Sequence, residues 1–418
     1  MSKTDPSYCF LVEWFDAISS LIKRFQLIYH TKSSSVEMHE EKTNRLFLKP
    51  TRIEGLKLFD FYLGSTVTIL SRSLKIIDYG DEFTKREFLG RSERCVVFIP
   101  PASVFRAGEI IAMMEDKSLR IINLKMVRLI SDELKSILDS KTSLSNMTTL
   151  LSELTGKNLI ALEVMGTNVC SLLHEFIYGS KETSENILCN PDLFMITSNV
   201  GDSIKLAHKI FGNPGGPNFH GAALLKNTTL CVIRPHAVSD GLTGKIWSAI
   251  TEKGFNVTAA SLHRLSKADS ADFLEVYKGV VQEYPEMLDH LSSGPCIALE
   301  IDIPDPNVNV HQAFREFAGP IDPEIAKYLR PDTLRARFGV NKVRNAIHCT
   351  DLPEDTEREK SSWYMLTGRN VLTIFLASGD TIGRSKQYNM IIQSIIKSLE
   401  LGISELKLPY FISAFTTK

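Results

Sequence analysis

Two stretches of the chain repeat each other, and that repeat constrains the fold more than any other feature. RCVVFIPPASVFRAGEIIAMMEDKSLRIINLKMVRL (Arg94 to Leu129) runs parallel to LCVIRPHAVSDGLTGKIWSAITEKGFNVTAASLHRL (Leu230 to Leu265). Each opens with an apolar strand ending at proline. Each continues through a glycine turn into an amphipathic helix and a second strand ending Arg-Leu. Further on, IALEV (Ile160 to Val164) matches IALEI (Ile297 to Ile301), and HEFIYG (His174 to Gly179) falls where REFAGP (Arg315 to Pro320) does. A period of about 135 residues is domain-sized, so the chain carries a duplicated α/β domain and not a solenoid. Strand–helix–strand–helix order with short links predicts an α/β sandwich of the split βαβ kind.

The residues before the repeat read differently. CFLVEWFD, FQLIYHT, SVEMHEE, NRLFLKPT and LGSTVTILSRSLKIIDYGD alternate apolar and polar residues with period two, are rich in β-branched and aromatic side chains, and are separated by turn signals. They predict a small antiparallel β-module. The fold class is therefore α+β: a β-module over 1–92, a first repeat over 93–211, a Gly/Pro-rich linker over 212–227, a second repeat over 228–366 and a C-terminal docking extension over 367–418. The extension is suggested by MIIQSIIKSLELGI, whose apolar residues recur at helical spacing. A chain of 418 residues exceeds one ordinary core, which agrees with several domains.

Bulk charge and cysteine use narrow the function. A net charge of -1 lacks the basic surplus of a nucleic-acid binder. The seven cysteines are odd in number and form no CxxC pair, so reduced thiols in a cytoplasmic compartment are expected, without a disulfide framework or zinc site. No apolar run is long enough to span a bilayer, so no membrane partner is expected.

The chemistry concentrates in VRNAIHCTD, Val343 to Asp351. His348 could be a core histidine, a metal ligand or a phosphate-accepting nucleophile. Metal ligation lacks partners at ligand spacing. Arg315, Arg335 and Arg344 share the repeat with His348, and guanidinium forks suit phosphate oxygens. Asn345 can bond a sugar hydroxyl. Glu359, in EDTEREKSSWY, can fix one ring nitrogen and leave the other free to attack.

The second repeat resembles the nucleoside diphosphate kinase family. NAIHCTD is similar to the family signature Asn-x-x-His-(Gly/Cys/Ser)-(Ser/Thr)-Asp, and CVIRPHAV, SGPCIALEI and TLRARFG resemble further family segments over about residues 228 to 366. FLVEWFD, SVEMHE, FLKPT and SRSLKIIDYGD resemble the DM-ten module of members that carry it ahead of two kinase-like domains. The resemblance implies two ferredoxin-like α/β sandwich domains after the β-module. It makes His348 the nucleophile, Thr350 and Glu359 its orienting groups, and Arg315 and Arg335 the phosphate clamps. Asn345 becomes the ribose contact. Arg234 stands where the family has its strand-one lysine, and Tyr284 is nearest to the base-stacking phenylalanine. Mg²⁺ would be the cofactor, bound through nucleotide phosphates and without a protein metal site. The resemblance also implies a cilium or flagellum location, with tubulin, other axonemal doublet proteins and γ-tubulin complexes as partners beside nucleoside di- and triphosphates.

Departures from the family pattern shape the functional expectation. Arg234 replaces lysine, Ile321 falls at a phosphate-binding threonine, and Leu274 falls near a cleft tyrosine. In the first repeat Pro100 stands for the lysine and Glu175 for Arg315, and FMITSNV lies where NAIHCTD should be, so that copy is expected to be inactive. His208 belongs to the terminal helix of that copy and is not its nucleophile. The leading expectation is a structural protein of doublet microtubules, bound in their lumen, with residual phosphohistidine transfer in the second repeat. The alternative is an active kinase supplying nucleoside triphosphates to the axoneme.

Overall fold

The computed structural model describes residues 6–16, 19–53, 56–70, 72–89, 93–137, 144–179, 193–211, 227–351, 353–356, 359 and 363. The Gly/Pro-rich linker, apart from Asn227, and the C-terminal extension lie outside these residues.

The β-module is one six-stranded antiparallel sheet. Its strands are β1 (Ser7–Asp16), β2 (Leu21–His30), β3 (Ser35–Glu40), β4 (Leu46–Arg52), β5 (Thr66–Ile69) and β6 (Arg72–Tyr79), in the order β4-β3-β2-β1-β6-β5. Alternation decides which face is buried. Tyr8, Phe10 and Val12 of β1 face Phe25, Leu27 and Tyr29 of β2, and helix α1 (Glu82–Leu89) adds Phe88 to the same core.

Both repeats share one eight-stranded sheet. The first repeat supplies β7 (Glu93–Ile99), β8 (Arg120–Arg128), β9 (Asn158–Gly166) and β10 (Met195–Ile196). The second supplies β11 (Thr229–Ile233), β12 (Asn256–Arg264), β13 (Pro295–Asp302) and β14 (Ile347–Cys349). The order β10-β7-β9-β8-β12-β13-β11-β14 reads the same from both ends, one repeat mirrored by the other about the β8–β12 seam, where Ser261 faces Lys125. The central strands are buried over most of their length because helices pack on both faces of the sheet.

A helix pair crosses the seam. Helix α2 (Ala107–Asp116) of the first repeat packs on α5 (Thr243–Glu252) of the second; α3 (Val169–Tyr178) and α4 (Val200–Phe211) lie between them in sequence. The crossing depends on two glycines. A Cβ on Gly108 would stand 2.4 Å from the Ser248 nitrogen, and one on Gly244 would stand 2.1 Å from the Ala112 nitrogen. Glu115 of α2 also accepts bonds from the free N–H groups of Thr243 (3.3 Å) and Gly244 (2.9 Å) at the start of α5. The β-module docks on both repeats: Arg264 donates to the Tyr62 hydroxyl (2.9 Å) and the Ile122 carbonyl (3.1 Å), and Tyr62 packs with Ile122 and Met165.

Candidate active site

The site is built on β14, the short edge strand, and on helices that follow α5: α6 (Lys267–Phe273), α7 (Tyr284–Leu291), α8 (Val310–Ala318), α9 (Pro323–Leu329) and α10 (Leu334–Phe338). Just before β14 the chain makes a three-residue turn. Ala346 has φ +70°, and the Ile347 N–H donates to the Asn345 carbonyl at 2.9 Å. A non-glycine residue in that conformation is strained by roughly 1–3 kcal/mol. The turn swings the chain from Asn345 into the strand that carries His348. It is fastened from the sheet side, where the Arg234 N–H donates to the Ala346 carbonyl at 2.9 Å.

His348 is 2% exposed. Its Nε2 lies 3.1 Å from Glu359 Oε2, and the Thr350 hydroxyl donates to that same oxygen at 2.8 Å. An ionised carboxylate only accepts, so Nε2 carries the proton and Nδ1 keeps its lone pair. Among the described residues Nδ1 has no hydrogen-bond partner. Phe273 packs edge-on against the imidazole with centroids 4.9 Å apart, and the buried Trp363 stands behind Phe273 at 5.2 Å. Apolar packing and a single acceptor thus fix the ring.

The arginines divide into two kinds. Arg234 and Arg335 are buried, and both donate to backbone carbonyls, while Arg234 Nε has no partner. Arg234 Nη1 donates to the Val343 carbonyl at 2.8 Å. Burial, and then the charge of Arg335, lowers the Arg234 pKa to about 10. Arg335 Nη1 donates to the Gly319 carbonyl at 2.8 Å, its Nε to the Ile347 carbonyl at 3.3 Å, and its Nη2 lies 3.7 Å from the Cys349 sulfur. Arg315 is different: its side chain is 49% exposed, and it donates to the Asp351 carbonyl.

Asn345 is buried. Its Nδ2 donates to the Ile321 carbonyl at 3.1 Å, and its Oδ1 has no partner. An unfilled buried acceptor costs about 1–3 kcal/mol, and a ligand hydroxyl would satisfy it. Tyr284 sits at the start of α7, half-buried against the core with Tyr277 and Val343. Ile321, in the threonine position, is 46% exposed and offers only its carbonyl.

One expectation needs correction. Leu274 does not stand in the tyrosine's place; it is buried in the core behind the site. Tyr277 does, at the end of a 3-10 turn, Glu275–Tyr277, that follows α6. Its ring is edge-on to His348 with centroids 6.3 Å apart, and its hydroxyl donates to Asp351. Burial, and then the Asp351 charge, raises the phenol's pKa far above its usual range, so it stays protonated. Counting along the sequence misses this residue because the tight turn carries the ring four residues past the end of α6. The signal was the lone hydroxyl in FLEVYKG.

The first repeat offers the same frame with other side chains. Ile99 faces Ile160 as Ile233 faces Ile297, so Phe98 corresponds to Val232. Phe98 pairs with Met195, whereas Val232 pairs with His348. Met195 therefore occupies the nucleophile's position. Pro100 caps its turn where Arg234 caps the matching helix. His208 lies on α4, away from this strand position.

Sheet order, the edge-strand histidine with its carboxylate, and the surrounding guanidinium groups define a nucleoside diphosphate kinase domain. The family model described as nucleoside diphosphate kinase matches residues 227–367. Nucleoside diphosphate kinase homolog 7 of Rattus norvegicus is 39% identical over 360 residues, spanning 83% of this chain and 90% of the relative, and the Mus musculus homolog 7 matches equally. The nucleoside diphosphate kinase of Aquifex aeolicus is 34% identical over 134 residues, covering 31% of this chain and 89% of that one. A crystal structure of an Aquifex aeolicus nucleoside diphosphate kinase matches with 30% identity, 32% of this chain, 93% of that chain and a TM-score of 0.30. The chain belongs to the nucleoside diphosphate kinase family.

Proposed function

We propose that the second kinase-like domain transfers phosphoryl groups between nucleotides through His348, and that the first domain serves as its structural partner without chemistry of its own. The observation that carries this reading is the 3.1 Å contact between His348 Nε2 and Glu359, which leaves Nδ1 as the attacking atom. In the first half-reaction Nδ1 attacks the γ-phosphorus of a nucleoside triphosphate. The N–P bond forms, the P–O bond to the β-phosphate breaks, and the diphosphate leaves with those electrons. The proton on Nε2 stays on the Glu359 side throughout. In the second half-reaction a β-phosphate oxygen of another diphosphate attacks the same phosphorus, and His348 is restored. Asn345 Oδ1 would accept a ribose hydroxyl, and Arg315 would face phosphate oxygens. The donor set of arginines, histidine and asparagine suits phosphate oxygens better than a hard cation, so Mg²⁺ would enter on the nucleotide's own phosphates. The test is exchange of a terminal phosphate between ATP and a second nucleoside diphosphate, with His348→Ala as control. Equal exchange by both proteins would dismiss the reading.

A second reading assigns the whole chain a structural role on axonemal doublet microtubules. It is supported by the docking of the β-module onto both repeats and by the replacement of the nucleophile by Met195 in the first copy. Co-sedimentation with assembled microtubules tests it. A folded chain that stays in the supernatant at micromolar tubulin would count against it.

A further inference from the structure

The site holds one carboxylate that the transfer chemistry does not use. Asp351 follows the strand bearing His348, and its side chain is 26% exposed. Its Oδ2 accepts from the Tyr277 hydroxyl. Its Oδ1 lies 3.7 Å from Arg315 Nη2, while Arg315 Nη1 donates to its backbone carbonyl. Arg335 is committed to the Gly319 and Ile347 carbonyls and Arg234 is buried, with Nη1 on the Val343 carbonyl, whereas Tyr277 stands edge-on to His348 and Arg315 is half in solvent, so these two are donors that a phosphate could recruit. Both are engaged by the same anionic side chain.

Resting on the phosphohistidine reading, we propose that Asp351 is a positioning residue that stands in for phosphate until nucleotide binds. Its carboxylate holds Tyr277 and Arg315 as a phosphoryl oxygen would, and an incoming polyphosphate displaces it. Two consequences follow from charge. The donors are held near the imidazole before nucleotide arrives, which limits the ordering needed on binding. The same carboxylate competes for those donors and repels the polyanion, so affinity for nucleotide is held below what the donors alone would give.

The opposing effects separate on substitution. Asp351→Asn keeps the shape and an acceptor for Tyr277 but removes the charge. MgADP titrated into the full chain by calorimetry should bind about two- to fivefold tighter to Asp351→Asn, the range expected for losing one partly solvated charge interaction. Asp351→Glu, which restores the carboxylate, should return affinity to within about twofold of the original. Tyr277→Phe supplies an independent arm. In the unaltered chain the hydroxyl is already spent on Asp351, so its loss should change affinity by less than about twofold; in Asp351→Asn the same loss should weaken binding by about threefold or more. A folded Asp351→Asn that binds MgADP equally or more weakly, while the parent binds, overturns the stand-in role and leaves the kinase reading intact. Should parent and variants all be folded and bind no MgADP, the kinase reading itself falls and the inference falls with it.

Discussion

Gly244→Ala tests whether the two repeats are joined as tightly as their helices indicate. The added Cβ would stand 2.1 Å from the Ala112 nitrogen, 2.5 Å from its Cα and 2.6 Å from the Gly108 carbonyl oxygen. These are backbone atoms of a buried helix, so no flexible side chain can swing aside. Restoring ordinary contact requires α2 and α5 to part by roughly 1 Å, and a gap of that size forfeits about a quarter to a half of each dispersion contact along the crossing. Ile110, Ile111, Ile246, Trp247 and Ile250 all belong to the core at this crossing. Overpacking of this kind costs about 1–3 kcal/mol. The helix propensity gained from alanine returns up to about 1 kcal/mol. A net loss of ~1–2 kcal/mol in urea unfolding of the full chain is expected. Gly108→Ala, at the reciprocal position against Ser248, should cost a similar amount. The double variant should cost clearly less than the sum, because helices already parted by one methyl have room for the second. A neutral or stabilising Gly244→Ala, or strict additivity, would refute the close crossing.

Three further outcomes follow from the geometry. Glu359→Gln removes the charge that accepts from His348 and Thr350, so phosphoryl transfer should fall roughly ten- to hundredfold, matching a charge-assisted bond of ~1.5–3 kcal/mol; unchanged steady-state exchange would deny Glu359 its orienting role. Arg264→Ala removes the bonds to Tyr62 and Ile122 and should loosen the β-module by ~1–3 kcal/mol, seen as earlier proteolysis between the module and the repeats; an unchanged digestion pattern would contradict the docking. His236 and His290 bond each other at 3.1 Å, and burial, then Arg234, lowers them to about 4 and about 2. Their folded values lie below the unfolded one, so stability is present above pH 6.5 and is lost as pH falls, by about 2 kcal/mol each between pH 7 and 5. Burial raises Asp60 to about 6, which works the other way and returns about 1 kcal/mol over the same interval. Urea midpoints should therefore be lower at pH 5 than at pH 7, and a higher midpoint at pH 5 would be wrong for this pair.

The duplicated frame was legible because each repeat carries its own strand, turn and helix pattern, down to Gly108 and Gly244 at matching helix positions. The site was legible where one residue type does one job: a histidine, a hydroxyl and a carboxylate converge in His348, Thr350 and Glu359. Side-chain direction was not. Nothing in LRARF tells that Arg335 turns inward to the Gly319 and Ile347 carbonyls while Arg315, two helices earlier, stays half in solvent. Tyr277 escaped because a 3-10 turn breaks the count from the preceding helix. The seam between β8 and β12 escaped too, since a register set by one facing pair leaves almost no trace in strand composition.

The central claim is that His348, held by Glu359, accepts a phosphoryl group despite Arg234 and Ile321. The direct measurement is labelling of the purified full chain with γ-labelled ATP, beside His348→Ala, followed by acid treatment and a chase with unlabelled nucleoside diphosphate. Acid-labile label on the parent alone, removed by the chase, is the predicted result. A folded parent that stays unlabelled at saturating nucleotide would contradict it and leave the second domain, like the first, as part of a scaffold.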